Sequence, residues 1–148
     1  MGTVVVDDHL LRDVLTGVRP ASLEGLATSL ATTGLWLFRL NSSWADPEKS
    51  GKLSAPVRRL SNPQQERFRA QITRLPDDIE VLHFRDLVQL MAELQYRHRS
   101  NGRLLSVAMV EALAAAHMLQ GSIAVSRVDV GPNLQAAAQH DGIPFHVI

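Results

Sequence analysis

The sequence predicts an α/β domain of the three-layer α/β/α sandwich class, with a central, mainly parallel sheet. Three observations predict it. Short β-branched or apolar runs occur at Thr3–Asp7, Ile79–Leu82, Ser122–Ser126 and Pro144–Ile148. Helical patterns separate them, and strands joined through helices pair in parallel by right-handed crossovers. The 148 residues fit one domain over 1–148 and suffice for a hydrophobic core without disulfides.

The first strand ends abruptly at Asp7 and Asp8, either of which can cap a helix through Val14 that Gly17 closes. Arg19–Leu26 reads as a loop containing Pro20, with scope for a short turn of helix. Thr32-Thr33-Gly34 opens a second helix carrying Leu35, Trp36, Phe38 and Leu40, and Asn41-Ser42-Ser43 ends it. Asp46–Lys52 reads as an exposed loop. Ser54-Ala55-Pro56 starts a short helix through Leu60, and Asn62-Pro63 starts another running to about Leu75. Beyond the turn at Pro76-Asp77-Asp78 and the second strand, Asp86–Arg97 has Leu87, Leu90, Met91 and Leu94 at helical spacing. Leu104–Leu119 is the longest apolar helix, expected at the centre of the fold. Pro132–Gln139 is a short helix ended by Gly142.

Composition excludes several functions. There is no cysteine, hence no disulfide scaffold, thiolate zinc site or cysteine nucleophile. No apolar run reaches the roughly 20 residues that span a bilayer. The N-terminus lacks a basic region before its apolar run, so a signal peptide is not expected and the expected location is cytoplasmic. Fifteen basic and fifteen acidic residues cancel, so no global field draws the chain to nucleic acid. The histidines form no H-x-x-x-H or H-E-x-x-H pattern of a zinc helix. A glycine-rich phosphate loop and a G-x-S-x-G elbow are also absent.

In open parallel sheets, functional groups collect at the carboxyl ends of the strands. Asp7 and Asp8 end the first strand, Asp129 follows Ser126, and Glu111 interrupts an otherwise apolar helix. A carboxylate there must face solvent, a partner or a metal. Carboxylates converging from distant segments can hold Mg²⁺ or Mn²⁺, which take oxygen ligands and activate water against a phosphodiester. Three stretches resemble the PIN-domain nuclease family, which includes the VapC-type toxins of toxin–antitoxin pairs. Val4-Val5-Val6-Asp7 before a Leu-rich helix is similar to its opening strand and first metal-binding aspartate. Glu111-Ala112-Leu113-Ala114-Ala115-Ala116 is similar to its aspartate-led helix. Ile123–Asp129 and Gly142–Ile148 are similar to its closing strand, T-x-D turn and last strand.

The resemblance implies a PIN-like fold and a Mg²⁺- or Mn²⁺-dependent endoribonuclease, with Asp7, Glu111 and Asp129 as metal-binding and catalytic residues. Asp8, Ser126 and Arg39 would support them. Arg97, Arg99 and Arg103 are candidate RNA contacts. Implied partners are RNA, an antitoxin whose segment blocks the acidic pocket, and a second copy in a homodimer; no membrane is involved. The sequence departs from the family at four points. Asp8 stands where a small residue is usual, Glu111 replaces an aspartate, and Asp129 comes one position late. The helix after Thr32-Thr33 has no acid, and Arg39 lies close to the expected place. The alternative is therefore a degenerate PIN-like module acting by protein or nucleic-acid binding, and the placement of Arg39 discriminates the two.

Each candidate also has a plainer role. Asp7 and Asp8 can simply cap the first helix. Glu111 can pair with Arg39 or Arg103, and Asp129 can hydrogen-bond its own turn. Ser126 can be a solvated loop serine, and Arg97-His98-Arg99 suits a helix C-terminus. Trp36, Phe38 and Trp44 are candidates for a partner groove, with Trp36 expected in the core.

Overall fold

The computed structural model describes residues 2–46, 48 and 51–148. Five strands form one parallel sheet: β1 (Gly2–Val6), β2 (Ala27–Thr32), β3 (Ile79–Val81), β4 (Ser122–Val125) and β5 (Phe145–Val147), in the order β3-β2-β1-β4-β5. The register sets Val5 beside Ala31 and Ile123, and Ala124 beside His146. Side chains alternate across the pleat. Val5, Ala31, Ile123 and Val125 face one apolar layer, while Val4, Val6, Leu30 and Ala124 face the other. Both faces are covered, as a parallel sheet requires.

On the first side pack α6 (Phe84–Ser100), α7 (Val107–Leu119) and α8 (Pro132–His140). On the other lie α1 (Asp8–Leu15), α3 (Gly34–Ala45), α4 (Gly51–Arg58) and α5 (Asn62–Thr73). A one-turn α2 (Ala21–Glu24) precedes β2. The three-layer α/β/α class and its four expected strands stand.

Five local readings are corrected. β2 was not expected. Its sequence Ala-Thr-Ser-Leu-Ala-Thr lacks the β-branched run that marks the others. α3 continues through Asn41-Ser42-Ser43 to Ala45, because Asn41 donates to the carbonyls of Leu37 and Ile72 and Ser43 to that of Leu40. Polar groups expected to stop the helix are satisfied on it. α7 begins at Val107 instead of Leu104, with Ser106 as its cap.

α4 starts at Gly51 and contains Pro56, which the sequence placed at a helix start. Proline lacks the N–H that would bond the carbonyl of Lys52. Arg12 Nη1 supplies that bond at 3.0 Å and also meets the Leu53 carbonyl at 3.0 Å. The expected loop Asp46–Lys52 lies partly outside the described residues, and Gly51 and Lys52 belong to α4. Among the described residues no helix is long and apolar enough to cross a membrane.

Two local devices fix the strand ends. Gly121, between α7 and β4, must be glycine because a Cβ would collide with the Thr3 carbonyl of β1. At the other edge Thr32 donates through its hydroxyl to the Val6 carbonyl at 2.9 Å, clamping β2 to β1.

Candidate functional site

Because all strands run in parallel, the chain leaves β1, β2 and β4 along one edge, at Asp7, Thr33 and Ser126. This edge carries the acids that the sequence singled out. Asp7 is buried and spends both oxygens on the backbone. Oδ1 accepts from Leu10 N at 2.9 Å, capping α1, and Oδ2 accepts from Ser126 N at 2.8 Å, tying β1 to the turn after β4. Burial pushes its carboxyl up to about 7. The two backbone bonds oppose that rise, and the charges of Asp8 and Asp129 add to it.

Asp8 is the more deeply buried acid, with no exposed surface. Its Oδ1 accepts from His9 N at 3.0 Å. Its Oδ2 makes no hydrogen bond, although Arg39 Nε stands 3.2 Å away. We read the contact as an ion pair whose N–H is not aligned on the oxygen. Burial raises the Asp8 carboxyl and the Arg39 charge opposes that rise. Burial likewise holds His9 below its usual range, against the pull of Asp8.

Arg39 reaches over from α3. Its Nη2 donates to Asp129 Oδ2 at 3.1 Å, so one guanidinium bridges Asp8 and Asp129. Asp129 sits in a 3₁₀ turn (Arg127–Asp129) that Ser126 caps, its Oγ accepting from Val128 N. The Arg39 and Asp129 side chains are each about half exposed, at 46% and 47%.

Glu111 is buried elsewhere along the edge. Its Oε1 accepts from Leu35 N at 2.9 Å and completes the N-terminal cap of α3, where Thr33 already receives Trp36 N. Its partner is thus a helix end, while Arg39 pairs with Asp8 and Asp129 and Arg103 with His98. A small cleft of about 80 Å³ opens here, lined by Asp7, Trp36, Arg39, Met109, Asp129 and Leu134 among others. Phe38 and Val128, neighbours of Arg39 and Asp129 in the chain, are exposed. Trp36 is core, and Trp44 packs edge-on against Phe68 under the Arg58 guanidinium.

The structure therefore brings Asp7, Asp8, Arg39, Ser126 and Asp129 together and assigns Glu111 to a helix cap. The ligand atoms that converge are those of Asp8, His9 and Asp129, all within 4.8 Å of one another. His9 had no sequence signal beyond its place next to Asp8. The Mg²⁺ or Mn²⁺ implied by the resemblance does not fit this arrangement. Asp7 already gives each of its oxygens to a backbone N–H, Glu111 spends Oε1 on the start of α3, and the Arg39 guanidinium fills the place between the other two acids, so a divalent ion there would have to displace it.

The candidate RNA contacts lie elsewhere. Arg97 Nη2 pairs with Asp141 Oδ2 at 2.8 Å, Arg103 Nε donates to His98 Nδ1 at 2.8 Å, and Arg99 is exposed. Arg97 and Arg103 belong to a second cluster that sequence spacing did not reveal. His98, His117 and His140, in the last turns of α6, α7 and α8, all meet the buried Asp141 carboxylate at 2.8–3.2 Å. Burial raises that carboxyl, but the bonds from the three histidines outweigh it and hold Asp141 down to about 2. An arginine only donates, so His98 Nδ1 is the acceptor and its Nε2–H donates to Asp141. The cluster is a clasp of three helix ends; His98 has no free lone pair for a metal.

A scan against known family models and a search of the curated proteins found no match for this chain.

Proposed function

We propose that this chain is a PIN-like module that has exchanged its metal for an arginine and acts by binding instead of by cleaving RNA. The observation that carries this reading is the Arg39 guanidinium, 3.2 Å from Asp8 and 3.1 Å from Asp129. It delivers positive charge where the family's ion would sit, and a nearby cation weakens divalent-ion binding. Asp7, the family's first metal ligand by resemblance, is committed to two backbone N–H groups.

The charge of the cleft favours a protein over RNA as partner. Asp129 is half exposed beside a single arginine, Asp7 lines the same cleft with its carboxyl raised to about 7, and Asp8 is buried behind them, so the cleft has no cationic surplus for a phosphate and suits a protein segment better. Exposed Phe38 and Val128 give such a segment an apolar footing.

The active-nuclease reading keeps one observation in its favour: Asp8 Oδ2 is buried, without a hydrogen bond, and close to His9 and Asp129. One experiment separates the two. Wild type and Asp7→Ala are incubated with pooled structured RNA and Mn²⁺, and Mn²⁺ binding is followed by calorimetry. We expect negligible cleavage by both and no measurable Mn²⁺ binding. Cleavage by wild type that disappears in Asp7→Ala and in EDTA would overturn the proposal.

A further inference from the structure

We infer that the cavity between the end of α1 and α5 binds a small apolar α-amino acid. It lies at the other end of α1 from Asp8 and is independent of the reading of Arg39.

The cavity has a volume of about 270 Å³ and two unlike walls. One wall is apolar. Val14 and Leu15 supply it from the last turn of α1, and Leu60 from the segment after α4. The other wall is polar. Gln64, Arg67 and Gln71 follow one another at helical spacing, so they share one face of α5. An apolar pocket with a few convergent polar groups is the usual form of a small-molecule site. A volume below the roughly 300–1,000 Å³ of drug-sized sites calls for a smaller ligand.

The polar wall names the chemistry. Gln71 Oε1 is buried and accepts no hydrogen bond. A buried carbonyl without a donor is costly, so the side chain gains by turning toward a donor that enters the cavity. Arg67 is exposed and has no ion pair or side-chain hydrogen bond among the described residues. Its planar fork fits a carboxylate through two parallel bonds. Arg67 and Gln71 stand one helical turn apart, so the ligand needs an anion and a donor close together. The α-carboxylate and α-ammonium of an amino acid meet that need.

The end of α1 favours a charged donor over a neutral one. A helix C-terminus carries partial negative charge, which favours a cation, and Val14, Leu15 and Thr16 bring that end to the cavity. Arg12, the basic residue of this turn, is engaged with Asp13 and with the Lys52 and Leu53 carbonyls. The ligand's side chain then lies on Val14, Leu15 and Leu60, as that of leucine or phenylalanine would.

The test uses the full chain, isotope-labelled, with amide shifts followed by NMR. It is titrated with leucine, phenylalanine, isocaproate (leucine without its ammonium) and isoamylamine (leucine without its carboxylate). Leucine or phenylalanine is expected to give saturable shifts at Val14, Thr16, Gly17 and Gln71 with a Kd below about 1 mM. Isocaproate and isoamylamine should bind at least about tenfold more weakly, because each leaves one polar group of the wall unmet. Arg67→Gln and Gln71→Leu should each weaken amino-acid binding by a similar factor. Gln71→Leu should melt no lower than wild type, because it removes a buried oxygen that has no donor. Arg67 is exposed, so Arg67→Gln keeps the test decisive whether or not Gln71→Leu folds. No saturation by either amino acid at about 10 mM overturns the inference. So does binding of isocaproate or isoamylamine as tight as that of leucine, or full binding by Arg67→Gln.

Discussion

At the scale of single residues, the acids of this edge differ by what their oxygens touch. Asp7 is a structural carboxylate with an elevated pKa. Its sign of linkage is definite: folded Asp7 binds its proton more tightly than the unfolded chain does. The stability it contributes is fully present below its unfolded value of 3.8 and is lost as pH rises through about 7. Asp8 is raised as well and acts in the same direction. Wild type should therefore lose stability between about pH 4 and 7. In Asp7→Asn one amide oxygen still accepts from Leu10 N, but the amide nitrogen meets Ser126 N–H, which costs about 1–3 kcal/mol at all pH values. The pH-dependent part of the loss is absent. Urea melts at several pH values should show the variant gaining on wild type as pH rises across that window. Parallel curves would show that Asp7 does not titrate there.

At the scale of elements, Glu111 shows how a buried acid becomes architecture. It sits on α7 and caps α3, so it welds together two helices that lie on opposite sides of the sheet. Glu111→Ala should cost about 1–3 kcal/mol, because it removes the acceptor of the half-buried Leu35 N–H. Glu111→Gln should recover part of that loss, since its amide oxygen can still accept. Denaturant midpoints with unchanged slopes would check both. Full loss in Glu111→Gln would mean that charge, not the hydrogen bond, holds the pair together. The sequence made four strands legible because Val4-Val5-Val6 and Ile123-Ala124-Val125 are continuous apolar runs. It hid β2, whose Ala and Ser residues carry no strand signal and whose place comes from pairing with β1 and β3. The site was half legible. Asp7 and Asp129 could be found from their positions at strand ends. That Asp8 would be the orphaned acid, His9 its neighbour and Asp141 a hub for three histidines depends on contacts across up to 121 positions of sequence, as between Asp8 and Asp129.

At the scale of the whole molecule, charge decides which partners are plausible. The chain has no net charge, its cleft holds more acids than bases, and two of its three candidate RNA-contacting arginines are engaged at the Asp141 cluster. Binding to a phosphate backbone needs several free cations on one face, each contributing a slope of roughly 0.9 in the logarithm of affinity against that of salt. Arg99 alone among the three is exposed and has no ion pair or side-chain hydrogen bond among the described residues. Fluorescence anisotropy with labelled structured RNA should therefore show no saturable binding below about 10 µM protein at ~150 mM salt, where nonspecific binders of nucleic acid reach roughly 10⁻⁴–10⁻⁶ M. Lowering the salt should bring a shallow increase, with a slope near one. A slope of several, abolished by Arg97→Ala, Arg99→Ala and Arg103→Ala together, would mean that the Asp141 clasp opens to release its arginines and that RNA belongs among the partners after all.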